Sequence, residues 1–144
     1  MQPLLTTTIR RPFHWGIVVV AVEPPTGDIP AVVGDTLVVA NAHSLIILVR
    51  HAQDIESLDG EYDFAEAEVT VRQMVGPMSS PASGRVVYEG VLDVPSGRLS
   101  VGDADDWVIL PAHHGANTAV VSVEAGVPAD ELSPDAVHVD LWPG

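Results

Sequence analysis

The chain has 144 residues, the size of one ordinary domain, and its 47% hydrophobic content supports a packed core and argues against global disorder. Its cysteine count is 0, which excludes disulfides, thiolate metal sites and a cysteine nucleophile; a reducing compartment such as the cytoplasm is the matching expectation. The formal net charge of −14 argues against a nucleic-acid binder, because such proteins neutralise phosphates with Lys and Arg.

Read from the N-terminus, the first strong signal is the apolar run Ile17–Val22 behind Arg10 and Arg11. It is far shorter than the ~20 residues a helix needs to cross a bilayer, so no membrane span is expected. Glu23-Pro24-Pro25 follows it without a small-x-small cleavage pattern, which favours a core strand over a secretory leader. Leu45–Val49 is a second continuous β-branched and leucine run, and both runs read as strands covered on two faces. Residues 35–39 add a strand after the Gly34-Asp35 turn. Residues 52–68 are the one helical competitor, through Asp54-Ile55-Glu56-Ser57-Leu58.

Glu66 to Arg72 alternates strictly, polar on even positions and apolar on odd ones, as a half-buried strand requires. Residues 85–93 and 117–124 read as further strands. Between them, Val94-Pro95-Ser96-Gly97-Arg98-Leu99-Ser100-Val101 reads as a hairpin, with Pro and Gly at turn positions. Val137, Val139 and Leu141 put one apolar face on a C-terminal strand. Pro and Gly punctuation falls every eight to fifteen residues, which predicts an all-β chain: a single antiparallel β-sandwich, jelly-roll-like, of eight or nine strands over residues 1–144. The aromatics Phe13, Trp15, Trp107 and Trp142 are expected to anchor its core, because each buries a large area; Trp142 alone falls on an outer face.

Charge is unevenly placed. Residues 1–53 carry three acids (Glu23, Asp28, Asp35) and three arginines, so the whole −14 arises from residues 54–144. Seven carboxylates fall between Asp54 and Glu68, which first suggests a calcium loop. The EF-hand spacing fails, because from Asp54 its positions 5, 6 and 12 would be Leu58, Asp59 and Ala65. Gly102-Asp103-Ala104-Asp105-Asp106 is a second acidic turn. A solvated acidic face from residues 54–68 and 103–106 is therefore expected, with Asp59, Glu61, Asp63, Asp105 and Asp106 positioned to meet a basic protein partner.

Six histidines are present, but no His-x-His pair. His113 and His114 precede Gly115 and would share a divalent metal only inside a turn; His51, His113 and His138 are a second candidate set from distant strands, and ordinary surface or partly buried histidines are the main expectation. No Gly-x-Ser-x-Gly elbow and no Lys-bearing phosphate loop occurs, so an enzyme is the weaker reading.

The order Val94–Val101, a Gly-Asp turn, Val108-Ile109-Leu110-Pro111, a turn at Gly115, Val121-Ser122-Val123 and the terminal Val137–Pro143 resembles small β proteins of high-GC bacteria. All six basic residues being arginine fits such a genome. More remotely, residues 85–144 are similar to the competence-J family of acidic nuclease inhibitors. That resemblance implies a non-enzymatic inhibitor or immunity-type protein and carries over no catalytic residue. Two alternatives stay open: a metal-dependent β-sandwich enzyme or binding module using His113, His114 and nearby acids, and a homo-oligomeric structural subunit.

Overall fold

A computed structural model of the chain describes residues 5–13, 15–23, 36–50, 57–58, 61–62, 66–75, 84–103, 106–124 and 134–143. Twelve strands follow one another with no helix among the described residues, and no helix there is long and apolar enough to cross a membrane.

One sheet holds five strands in the order β1 (Leu5–Arg11), β7 (Ala67–Gln73), β12 (Ala136–Pro143), β11 (Gly115–Val123) and β8 (Arg85–Val94). The other runs β10 (Trp107–Pro111), β9 (Arg98–Gly102), β2 (Ile17–Val22), β4 (Ser44–Leu48) and β3 (Val38–Asn41). A small ribbon pairs β5 (Ser57–Leu58) with β6 (Glu61–Tyr62), inside the stretch that competes as a helix.

The period-2 patterns do what they require. On β7 the odd residues from Ala67 to Gln73 are buried and the even ones half-buried, and on β2 Val18, Val20 and Val22 point inward. One core cluster takes Val18, Val20, Leu45, Ile47, Leu99 and Val101 from the second sheet and Val69, Val71, Leu92, Val121, Val139 and Leu141 from the first. Removing this apolar area from water is the main stabilising contribution. β4 is nearly closed on both faces, as expected, whereas the outer residues of β2 stay half-exposed.

Three expectations are corrected. The two sheets hold ten strands rather than eight or nine. The pairing is not wholly antiparallel, because β12 runs parallel to β7 with Val139 opposite Val71; this mixed sheet departs from an antiparallel jelly roll. The reversal at residues 95–97 is not a hairpin either: β8 lies in the first sheet and β9 in the second, so the turn carries the chain across the core. Gly97, at φ 72° and donating to the Val94 carbonyl at 3.2 Å, makes the tight bend. Ser96 Oγ secures it by donating to the Glu23 carbonyl at 2.6 Å, at the end of β2.

Cross-sheet ties close the two flanks. On one, Asp93 of β8 donates its N–H to the Ala42 carbonyl at 2.7 Å, in the β3–β4 turn. On the other, Arg11 at the end of β1 reaches the β9–β10 turn. A third tie runs through Gln73, whose Nε2 donates to the Leu141 carbonyl while its Oε1 accepts from the His113 N–H.

Candidate functional site

The β9–β10 corner brings together a buried ion pair and a run of exposed apolar side chains. Asp103 is buried, and its Oδ1 accepts from Arg11 at 2.7 Å and from the Asp106 N–H at 3.2 Å. Arg11 also donates to the Asp106 carbonyl at 2.7 Å and lies 4.3 Å over the Phe13 ring. The acid at 103 is thus consumed by structure: it neutralises Arg11 and shapes the turn. Asp106, one step before β10, remains exposed.

β10 is an edge strand, paired among the described residues with β9 alone. Three consecutive apolar residues on it are exposed: Trp107 (56%), Val108 (39%) and Ile109 (46%). Trp15, just before β2, is 62% exposed. Val19 faces Gly102, which also faces Trp107, so the start of β2, next to the turn that holds Trp15, lies at the same end of the sheet as the start of β10. The expectation that Trp15 and Trp107 anchor the core is therefore corrected. Phe13 does so, and Trp142, placed on an outer face, is 2% exposed and packs with Met74 and Val120 in a second cluster.

The opposite edge of this flank is built differently. β1 exposes Thr6, Thr8 and Arg10, residues that leave an edge unattractive to other chains. Thr8 pairs with Thr70 across the sheet at 3.2 Å. The contrast between the two edges does not follow from the sequence. Trp107-Val108-Ile109 carries the signal, but only the topology shows that this run lies at an edge.

Of the five carboxylates expected to meet a partner, Asp106 is exposed at the β10 corner. Glu61 falls on β6, where only the strand position is described, and Asp59, Asp63 and Asp105 lie outside the described residues. The histidines are separated by their roles. His113 is held through its backbone, donating to Gln73 and accepting from Asn117 Nδ2 at 3.1 Å. His114 is exposed, with its Nδ1 3.3 Å from the Pro95 carbonyl and its ring against Gly97. His138 sits on β12 beside Glu124 at 3.4 Å, and His51 lies outside the described residues. Among the described residues no three His, Asp or Glu side chains form a group that would hold a metal.

A chain of this kind is a two-sheet all-β protein with an acidic corner and an apolar edge. No family model and no curated protein matches it. Two solved structures share its fold. ComJ from Bacillus subtilis, an inhibitor of the DNA degrading activity of NucA, aligns with a TM-score of 0.64 at 10% identity over 99% of this chain and 98% of that one. The product of crocagin biosynthetic gene J aligns with a TM-score of 0.56 at 12% identity, over 96% and 97% of the two chains. At such identities the likeness shows the fold.

Proposed function

We propose that this chain is a non-enzymatic acidic binding protein, an inhibitor or immunity-type protein whose partner is a basic protein such as a nuclease. The observation that carries the reading is the match of fold to ComJ over essentially the whole of both chains, joined to a net charge of −14. The core shared by both sheets supports reading them as layers of one β-sandwich domain spanning residues 1–144.

A nuclease presents cationic groups to phosphates, and carboxylates held on a rigid β scaffold compete for the same groups. Long-range attraction raises the encounter rate and is screened by salt within about 10 Å at 0.1 M. Asp106 and the acids of residues 54–68 supply the charge, and the exposed tryptophans supply the desolvated anchors that fix affinity.

The test is inhibition. Purified chain titrated into a lysate of its own cells should slow degradation of a labelled DNA at low salt, with the effect weakening as salt rises. DNA degradation unchanged at every salt concentration would overturn the reading.

A further inference from the structure

We infer that the open edge of β10 takes an extended, arginine-bearing segment of a protein partner as an added strand. The inference rests on the inhibitor reading for the nature of the partner, and on backbone geometry for the place and mode of docking.

The phase of the β9–β10 ladder fixes which β10 groups have no strand partner among the described residues. Asp103 N–H donates to the Asp106 carbonyl at 3.0 Å, and Ala112 N–H donates to the Gly97 carbonyl at 2.9 Å. Both pairs continue the register in which Trp107 faces Gly102 and Pro111 faces Arg98. In an antiparallel ladder a residue turns both its N–H and its C=O to the same neighbour, and the direction alternates along the strand. Residues 106, 108, 110 and 112 therefore bond to β9, while Trp107, Ile109 and Pro111 turn their backbone groups to the open side. The β2–β9 ladder agrees: Glu23 N–H donates to the Arg98 carbonyl at 3.0 Å, so even residues of β9 face β2 and odd ones face β10.

Among the described residues the open edge thus offers two N–H groups, from Trp107 and Ile109, and three carbonyls, those of Trp107, Ile109 and Pro111. Pro111 has no N–H, so the donor row ends there. A docked segment is held over Trp107–Ile109 and makes four backbone hydrogen bonds, with its alternate side chains falling on the same face as Trp107 and Ile109. Leu110 points into the core, so that face is the outer one.

Charge selects the occupant. A second copy of the chain would bring another −14 to the edge, with a second Asp106 corner. An arginine-bearing strand instead places a guanidinium over the half-exposed Trp107 indole, next to Asp106. The absence of threonine or charge on Trp107-Val108-Ile109, against the Thr6, Thr8 and Arg10 that guard β1, fits an edge kept for pairing.

The test uses the whole chain and a defined probe, an acetylated alternating Arg-Val hexapeptide. Its companions are a Glu-Val counterpart and an Arg-Val version N-methylated at alternate residues. The Arg-Val peptide should shift the NMR amide signals of Trp107 and Ile109 and slow their hydrogen exchange. Ile109→Pro, which removes one of the two donors, should weaken binding about tenfold, as should N-methylation of the peptide. Ile109→Lys supplies a second variant should the proline disturb folding, and should weaken binding comparably through like charge. Equal binding of the N-methylated peptide, no binding of the Arg-Val peptide, or dimerisation of the chain through β10 would each overturn the inference. A basic nuclease bound equally well by wild type and Ile109→Pro would leave the inhibitor reading standing and remove this edge from it. Peptide docking at β10 without any effect on DNA degradation would do the reverse.

Discussion

The Arg11 guanidinium and the Asp103 carboxylate meet at 2.7 Å across the flank where the two sheets approach each other, and the same guanidinium holds the Asp106 carbonyl. One ion pair therefore joins β1 of the first sheet to the corner from which β10 departs. Asp103 is buried and the Arg11 side chain is 19% exposed, so removing the cation leaves a carboxylate with its principal charge partner gone. Arg11→Ala is expected to destabilise the chain by about 3 kcal/mol, measured by urea denaturation, and to speed amide exchange at Trp107. Unchanged exchange at Trp107 would separate the ion pair from the placement of β10.

A second buried pair behaves differently from its parts. Arg72 Nε and Nη2 grip both oxygens of Asp140, at 2.6 and 3.2 Å, across the parallel junction of β7 and β12. Either Arg72→Met or Asp140→Met alone should cost about 3–5 kcal/mol, because an uncompensated charge stays buried. The double substitution should recover much of that loss in the same denaturation series. A double mutant no better than the worse single one would show that the pair supplies net stability beyond its desolvation cost.

The three tryptophans are expected to part company. Trp142→Ala empties a buried site and should cost about 3–5 kcal/mol, whereas Trp15→Ala and Trp107→Ala should stay within about 0.5 kcal/mol. Acrylamide should quench the fluorescence of Trp15 and Trp107 readily and leave that of Trp142 largely intact, read in single-tryptophan variants. Equal quenching of all three would contradict the placement of the β10 edge.

The corner at Gly97 tests the crossing between sheets. A Cβ at this position would meet the His114 ring at 2.5–2.8 Å, and φ of 72° is itself unfavourable for other residues. Gly97→Ala should cost about 1–2 kcal/mol from the dihedral alone. In a double-mutant cycle His114→Ala should relieve only the steric part, leaving the dihedral cost in place.

Neutralising Asp59, Glu61, Asp63, Asp105 and Asp106 together, each to its amide, should lower the association rate with a basic partner and flatten its salt dependence. Stopped-flow association at two ionic strengths reads both effects. A rate and a salt slope equal to those of the wild type would place the electrostatic attraction elsewhere on the chain.

Local pattern alone makes several strands legible. The run Ile17–Val22 is β2 with the same bounds, and the alternation through Val69 and Val71 marks the face that β7 buries. Pairing partners are not legible, for a physical reason: a period of two says which face is apolar but nothing of the neighbour's identity or direction. Hence the parallel junction of β7 with β12 leaves no trace in the pattern, and the Pro95-Ser96-Gly97 turn reads as a hairpin. Its residues specify a reversal of the chain, and both a hairpin and a sheet-to-sheet corner use one. β1 escapes notice because Leu5-Thr6-Thr7-Thr8-Ile9 lacks a strong apolar alternation. At the candidate site, the acidity is visible in the sequence and the exposure of Trp107 is not, since aromatic residues are on average buried and only strand order shows which one lies at an edge.

Binding of a basic nuclease can be read by depletion. Lysate from the chain's own cells is passed at low salt over immobilised chain, and DNA-degrading activity is assayed in the flow-through and in a moderate-salt eluate. Activity should be missing from the flow-through and recovered in the eluate. Full activity in the flow-through at low salt, with the immobilised chain folded, would contradict such binding.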